Sequence, residues 1–140
     1  MRFVVRPIES NHESVHKAVL ESLIAFNDAQ AGQSGYQPVA FAIEDEYGRM
    51  IGGLSGGTAY GWLFVELLFV PEPLRGQGVG TELIRRAEAD AVARGCHSAW
   101  LDTFEFQARG FYERLGYTCF GELKNYPAGP RFFMSKRLAR

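Results

Sequence analysis

An almost wholly apolar run over residues 62–70, followed by a glycine-rich turn and an amphipathic helix, constrains the fold of this chain most. The run Trp-Leu-Phe-Val-Glu-Leu-Leu-Phe-Val predicts a central strand that is buried on both faces. A helix is predicted over about residues 78–94, with Gly95 as its stop, and another strand over 99–104. This order implies two parallel strands joined by a right-handed crossover.

The rest of the hydrophobic pattern adds further helices and strands to this unit. The predicted helices cover about residues 12–30, with Asn11 as the candidate cap, and residues 107–115. The predicted strands cover residues 3–7, 39–44, 50–59, 117–123 and 132–136. The expected α/β fold is therefore a mixed central sheet of about six to seven strands with flanking helices, in one domain over residues 1–140.

Charge and cysteine content argue against several classes of protein. The 15 basic and 16 acidic side chains give a formal net charge of −1, which implies no strongly basic surface for nucleic acid. The 2 cysteines lack C-x-x-C spacing, so neither a disulfide framework nor a zinc ribbon is expected. No apolar run is long enough to span a bilayer, and the N-terminus has no signal-peptide layout. We therefore expect a cytoplasmic protein without a nucleic-acid or membrane partner.

The glycine-rich turn Arg75-Gly76-Gln77-Gly78-Val79-Gly80-Thr81 offers a place for an anion. Glycines let the backbone turn tightly and approach a ligand, and a helix N-terminus presents unpaired N–H groups and the positive end of the helix dipole. The turn is neither the dinucleotide fingerprint nor a Walker loop. These residues fit a pyrophosphate cradle, to which Arg75 could add a charge-assisted contact, or a strand-to-helix turn without a ligand.

Two segments resemble the GNAT (general N-acetyltransferase) superfamily. Arg75-x-x-Gly78-x-Gly80 matches the family signature Arg/Gln-x-x-Gly-x-Gly/Ala, and it lies between a buried strand and a long helix, as in the family. Phe111-Tyr112-Glu113-Arg114-Leu115-Gly116-Tyr117 is similar to the family segment Phe/Leu-Tyr-Glu-x-x-Gly-Phe/Tyr. The order of strands and helices resembles the family over nearly the whole chain, and residues 101–104 and 131–133 resemble a subgroup of small bacterial members.

This resemblance implies a GNAT-like sheet with a splayed parallel pair, and transfer of an acetyl group from acetyl-coenzyme A (acetyl-CoA) to an amine, with no metal. The pantetheine arm of acetyl-CoA would lie between the splayed strands and pair with the main chain of residues 68–70, while the turn holds the pyrophosphate. The residues expected to bind the coenzyme are Leu68, Phe69, Val70, Arg75, Gly76, Gln77, Gly78, Val79, Gly80 and Thr81.

Four residues are candidates for catalysis and acceptor binding. Tyr112 occupies the family position of a tyrosine near the coenzyme sulfur, where a phenol can act as a general acid; a packed aromatic is the alternative. Glu66 is the candidate base, because burial in the apolar run would raise the pKa of its carboxyl; a structural carboxylate is the alternative. Asp102 and Tyr126 are the candidate contacts to the acceptor, although a structural role for Asp102 is the alternative.

The expected acceptor is a small-molecule amine. Aromatic walls and acidic groups suited to a cation are expected from Phe26, Tyr36, Tyr126, Phe132, Glu66, Asp102 and Glu105. Glu105 stands where many family members carry an Asn that contacts the coenzyme, so this position departs from the family pattern, and Gln107 is a candidate replacement for that contact. Since family members are often dimers, a homodimer is also considered.

Two other functions fit parts of the sequence. A catalytically silent protein that binds acetyl-CoA as a sensor or partner module would need the same glycine turn. The segment His12-Glu13-Ser14-Val15-His16 spells H-E-x-x-H, a zinc motif when it lies on a helix in a cleft. No third ligand partners it, and the polar residues around it indicate a solvated helix start.

Overall fold

Two units make up the part of the chain that the structure describes. A computed structural model covers residues 1–105, 107–124, 127 and 129–139. Its contacts divide the chain into Met1–Ser34 and Gly35–Arg140, and each unit is described by itself. In the first unit no strand forms over residues 3–7, so that prediction is wrong. The first unit contains a helix and no strand with which residues 3–7 could form a ladder.

Helix α1 (His12–Ala31) confirms the predicted first helix. Its apolar residues are each between 40% and 60% exposed: Val15, Val19, Leu20, Leu23 and Ile24. Asn11 is the N-cap residue, as predicted, but it has a left-handed backbone with φ 57° and its side chain makes no capping hydrogen bond. Ser14 instead donates its N–H and its hydroxyl to the main-chain oxygen of Asn11, at 3.2 and 2.9 Å.

The second unit is built on a six-stranded mixed sheet in the order β1-β2-β3-β4-β6-β5, in which β3 and β4 are the parallel pair. The strands are β1 (Gln37–Glu44), β2 (Met50–Ala59), β3 (Trp62–Phe69), β4 (Ser98–Phe104), β5 (Thr118–Leu123) and β6 (Arg131–Arg137). The helices are α2 (Val79–Ala93) and α3 (Arg109–Arg114), with a 3-10 turn at Glu72–Leu74. This architecture confirms the predicted fold class.

Helix α2 supplies one side of the core. It buries four residues, Leu83, Ile84, Ala87 and Ala91, in one cluster with sheet residues that include Leu63, Leu101 and Met134. The helix ends where Gly95 takes a left-handed φ of 89° and the N–H of Cys96 donates to the Ala91 carbonyl at 2.8 Å. Gly95 is therefore the predicted stop. No helix in the described ranges is both long and apolar enough to cross a lipid bilayer.

A bulge in β3 makes one prediction about this strand wrong. Ser55 of β2 faces Leu67, but the next residue, Gly56, faces Val65, so Glu66 is an extra residue in β3. Glu66 itself is exposed, although the sequence predicts a strand buried on both faces. The bulge also reverses the alternation, since Val65 is 4% exposed whereas Leu67 is 64% exposed. An added Cβ on Gly56 would lie 2.1 Å from the main-chain oxygen of Phe64 in β3. The close approach of these two strands therefore requires this glycine.

Candidate active site

The candidate site is the cleft between the diverging ends of β3 and β4. Parallel pairing runs from Trp62 opposite Ser98 to Val65 opposite Leu101 and stops there. Beyond that point β3 stays paired to β2, and β4 stays paired to β6. Because a bulge bends its strand, the extra residue in β3 accounts for the separation. The splayed pair is thus confirmed, and the inner edges of both strands have no strand partner along the cleft.

The turn before α2 presents a row of main-chain donors at one end of this cleft. In the described part of the chain, no main-chain N–H from Gly76 to Thr81 donates to a main-chain oxygen, and the first such bond runs from Glu82 to Gly78 at 3.0 Å. Gly78 has φ 80°, and no heavy atom lies within 4 Å of where its Cβ would be. Open space above unpaired N–H groups at a helix N-terminus fits a pyrophosphate.

Arg75 and Gln77 hold the turn in place. The Nε of Arg75 donates to the carbonyl oxygen of Val70 at 2.9 Å, and its guanidinium lies 5.8 Å from the ring centre of Phe69. The Nε2 of Gln77 donates to the carbonyl oxygen of Pro73 at 3.0 Å. The terminal nitrogens of Arg75 have no hydrogen-bond partner among the described residues, so they are available to an anion. These two hydrogen bonds thus connect side chains of the turn to main-chain oxygens just after β3, the strand that forms one wall of the cleft.

Tyr112, on α3, is a buried phenol whose hydroxyl has no hydrogen-bond partner in the described ranges. The side chain is 6% exposed and packs edge-on against Phe111 and Tyr117, with ring centres 5.1 and 6.0 Å away. Burial, and then the negative charge of Asp102, raise the pKa of Tyr112 to about 12. The side chain therefore remains a proton donor at neutral pH.

A second buried tyrosine, Tyr117, is bonded instead. Its hydroxyl donates to Glu88 of α2 at 2.9 Å, and Lys136 of β6 donates to both oxygens of that carboxylate at 3.0 Å. Burial, followed by the charge of Glu88, raises the pKa of Tyr117. These hydrogen bonds connect α2 and β6 to Tyr117, the last residue of the motif over residues 111–117. Sequence reasoning missed Glu88 and Lys136, because the two are 48 residues apart and neither belongs to a motif.

Glu66 lies at the mouth of the cleft but is not in the environment that the sequence predicts. The bulge leaves this side chain exposed, so the burial from which a base role was argued is absent, and that part of the reasoning is wrong. Glu66 forms no hydrogen bond or ion pair with the described residues, which also removes the structural alternative. Val65 pairs with Leu101, so Glu66 and Asp102 are the first residues past the pairing, one on each wall.

Asp102 is half-buried and forms an ion pair with Arg131, the first residue of β6. Nε of Arg131 donates to Oδ1 of Asp102 at 2.9 Å, and a terminal nitrogen of Arg131 lies 2.7 Å from the same oxygen. Oδ2 has no partner among the residues that the structure describes. No sequence motif marks Arg131, and the 29 residues between the partners hide this pair from sequence reasoning.

The loop after β4 is held by Gln107. Its side-chain oxygen accepts the N–H of Phe104 at 2.8 Å and the hydroxyl of Thr103 at 3.3 Å. The N–H of Glu105 donates to the carbonyl oxygen of Pro130 at 3.0 Å, while the Glu105 side chain is exposed. Gln107 therefore shapes the loop, and whether it contacts the coenzyme stays a prediction.

The aromatic residues predicted to line the acceptor site lie in different parts of the structure. Phe132 is 4% exposed and belongs to the core, so it is not a wall of the acceptor site; the guanidinium of Arg109 lies 4.1 Å from its ring centre. Tyr36 is exposed in the second unit, and Phe26 lies in the first unit. Tyr126 lies outside the described residues, so its contact to the acceptor stays a prediction.

The H-E-x-x-H segment forms the start of α1. Nε2 of His12 lies 2.9 Å from the carbonyl oxygen of Ile8. Within residues 1–105, 107–124, 127 and 129–139, no group of three or more His, Cys, Asp or Glu side chains is placed to hold a metal ion.

The chain matches known acetyltransferases in sequence and in structure. The acetyltransferase (GNAT) family model matches residues 8–117. An acetyltransferase of Agrobacterium fabrum is 40% identical over 129 residues, which are 92% of this chain and 93% of that protein. The crystal structure of an Agrobacterium tumefaciens protein described as an acetyltransferase has a TM-score of 0.87 at 38% identity, over 98% of this chain and 99% of that one. The blasticidin-S acetyltransferase of Streptomyces morookaense is 45% identical over 85 residues, 60% of this chain and 62% of that enzyme.

The splayed strands, the row of donors and these relationships together define an acyltransferase that takes its acyl group from a coenzyme A thioester. The chain belongs to the acetyltransferase (GNAT) family, and it is an acetyltransferase whose co-substrate is acetyl-CoA.

Proposed function

We propose that this protein transfers the acetyl group of acetyl-CoA to the amine of a small molecule by direct attack, as a single cytoplasmic domain that can form a homodimer. The observation that carries the proposal is the cleft between β3 and β4, with unpaired N–H groups from Gly76 to Thr81 at its end. The name of the blasticidin-S acetyltransferase supports a small-molecule acceptor, since that relative acts on an antibiotic. The acceptor of the present enzyme is expected to be of similar kind.

The chain's own groups have distinct roles toward acetyl-CoA in this proposal. Acetyl-CoA supplies the acetyl thioester. The main chain of residues 68–70 on the inner edge of β3 pairs with the pantetheine arm, and one of these N–H groups polarises the thioester carbonyl. The N–H groups of residues 76–81 hold the pyrophosphate, and the free terminal nitrogens of Arg75 add charge-assisted hydrogen bonds.

Tyr112 donates its phenolic proton to the departing sulfur. As the neutral amine attacks, the new N–C bond forms, the C–S bond breaks, and the sulfur receives this proton. A phenol with a pKa of about 12 is a weaker acid than a thiol, so the transfer is favourable only when the phenolate is reprotonated at once. The surplus proton on the newly acylated nitrogen supplies that reprotonation. Tyr112 then ends the reaction as it began.

Two carboxylates at the mouth of the cleft provide the contacts for the amine. Glu66, on β3, is exposed and unpaired in the described ranges, so it can accept a proton and pass it to solvent. Asp102, on β4, has one oxygen without a partner among the described residues. We assign Glu66 as the base and Asp102 as an acceptor contact, with Tyr126 as a further contact.

A screen for thiol release from acetyl-CoA tests this function. Small primary amines, including blasticidin S, should release thiol faster than peptides with free N-termini or lysines. Turnover of peptides only would refute the small-molecule acceptor. Binding of acetyl-CoA without thiol release from any acceptor would instead support the silent binding module.

Tyr112→Phe tests the general acid. Loss of the hydroxyl should lower kcat by about 100-fold and leave the Kd for acetyl-CoA within about 3-fold of wild type. Tyr117→Phe is the matched control, because it removes a buried hydroxyl that donates to Glu88 and not toward the cleft. Unchanged turnover in Tyr112→Phe, or an equal loss in Tyr117→Phe, would contradict the assignment.

A further inference from the structure

The position of Asp102 brings a carboxylate to the point where the cleft opens. The residue before it, Leu101, makes the last parallel pair with β3, and Asp102 itself is paired on the other side to Phe133 of β6. Its strand is therefore fixed on one edge and open toward the cleft on the other. Besides burial, the negative charge of Asp102 raises the pKa of the Tyr112 phenol.

Arg131 restrains this carboxylate in an asymmetric way. Nε of Arg131 donates to Oδ1 at 2.9 Å, and a terminal nitrogen lies 2.7 Å from the same oxygen, while Oδ2 has no hydrogen bond or ion pair with the described residues. The guanidinium is itself held between two rings, 5.6 Å from the centre of Phe104 and 5.3 Å from that of Phe133. A planar guanidinium held on aromatic faces loses little further freedom when it binds a carboxylate. Arg131 thus satisfies one oxygen and leaves the other as an oriented hydrogen-bond acceptor.

We propose that Arg131 is a positioning residue that holds Asp102 so that Oδ2 binds the ammonium form of the acceptor, and that this pair makes the enzyme prefer amines that are charged at neutral pH. The inference rests on the proposed function, because it assumes an amine acceptor in this cleft. A partly buried carboxylate with one free oxygen suits an ammonium group, which offers three donors and a full positive charge. An uncharged nucleophile gains far less binding free energy from this carboxylate.

The test compares charged and uncharged acceptors in steady-state kinetics. The charged probes are phenethylamine, spermidine and blasticidin S, of which the one turned over fastest by wild type is used; hydroxylamine is the uncharged probe. Asp102→Asn should raise the KM for the charged amine about 10- to 100-fold and change the KM for hydroxylamine less than about 3-fold. Arg131→Gln should raise the KM for the charged amine about 3- to 10-fold, and Arg131→Lys should recover part of that loss.

A second aspartate–arginine pair in the chain provides the matched control. In the turn between β1 and β2, Nε of Arg49 donates to Asp45 at 3.2 Å, and its guanidinium lies 5.7 Å from the ring centre of Tyr47. Arg49→Gln should leave both values of KM at the wild-type level. Far-UV circular dichroism and Tm of each variant confirm that the compared proteins are folded.

The outcomes distinguish failure of the proposed function from failure of this inference. Absence of thiol release from any probe in wild type would overturn the proposed function itself. With an active wild type, equal effects of Asp102→Asn on both kinds of acceptor would show that the pair is merely structural and would overturn this inference. A KM for the charged amine that stays within about 2-fold of wild type in either Asp102→Asn or Arg131→Gln would overturn it as well.

Discussion

Gly78 offers a direct test of the pyrophosphate cradle, because a single methyl group there changes the ligand's space and little else. Its φ of 80° disfavours any side chain, and the position of an added Cβ is free of protein atoms within 4 Å. Alanine in a left-handed conformation costs about 1–2 kcal/mol, which lowers Tm by about 3–8 °C in a chain of this length. Gly78→Ala should therefore fold, with a modest loss of stability.

Gly95 provides the same perturbation at the other end of α2. Its φ is 89°, and an added Cβ would also meet nothing within 4 Å. Gly95→Ala should thus lose a similar 1–2 kcal/mol, approximately, through the same backbone strain. No ligand is expected at the C-terminal end of the helix, so any difference between the two variants in coenzyme binding comes from the cradle.

The expected effect on the coenzyme follows from the bonds at risk. A methyl group at Gly78 pushes the phosphates away from the N–H row, and loss of one hydrogen bond to a charged group costs about 1.5–3 kcal/mol, or about 10- to 100-fold in Kd. CoA at 100 times the wild-type Kd stabilises the wild type by about 2.7 kcal/mol, whereas a 10-fold weaker Kd leaves about 1.4 kcal/mol.

Isothermal titration calorimetry and thermal shift with CoA measure these values. We expect Gly78→Ala to lose about half or more of the CoA-dependent stabilisation, while Gly95→Ala keeps all of it. A wild-type Kd in Gly78→Ala would refute the placement of phosphates at this turn. An equal loss of affinity in Gly95→Ala would show that backbone strain, and not contact with the ligand, causes the effect.

Two further predictions concern buried tyrosines and stability. The pKa of Tyr112 rises on folding from its ordinary value of 10 to about 12, so its contribution to stability is complete below pH 10 and is lost as the pH rises through 12. Urea unfolding measures this loss. Between pH 10 and 12, the free energy of unfolding of Tyr112→Phe should fall by about 2–3 kcal/mol less than that of wild type, and an equal fall in both proteins would contradict the prediction. Tyr117→Phe removes a hydrogen bond to the Glu88 carboxylate and should destabilise the protein by about 1–3 kcal/mol at pH 7, measured by urea unfolding; no change would show that the bond contributes nothing net.

The sequence predicts those parts of the fold that local chemistry determines. Both ends of α2 are identified because Gly78 and Gly95 are left-handed residues that flank an amphipathic helix. The parallel pair follows from the order of strand, helix and strand, and the two motifs identify the family. Each of these signals lies within a few consecutive residues, so no knowledge of distant contacts is needed.

Features that depend on distant contacts are not visible in the sequence. The apolar run over 62–70 suggests burial on both faces, but the register between β2 and β3 inserts Glu66 as an extra residue and exposes it. The partner of Asp102 starts a strand 29 residues later, and only the pairing of β4 with β6 brings them together. Strand register and side-chain pairing across a sheet are tertiary properties, which explains why both were missed.

The bulge at Glu66 makes the opening in this sheet depend on the number of residues in β3. Deletion of Glu66 should return β3 to ordinary alternation beside β2. A deletion within this strand should therefore alter the cleft itself, whereas a substitution of Glu66 alters one side chain at its mouth.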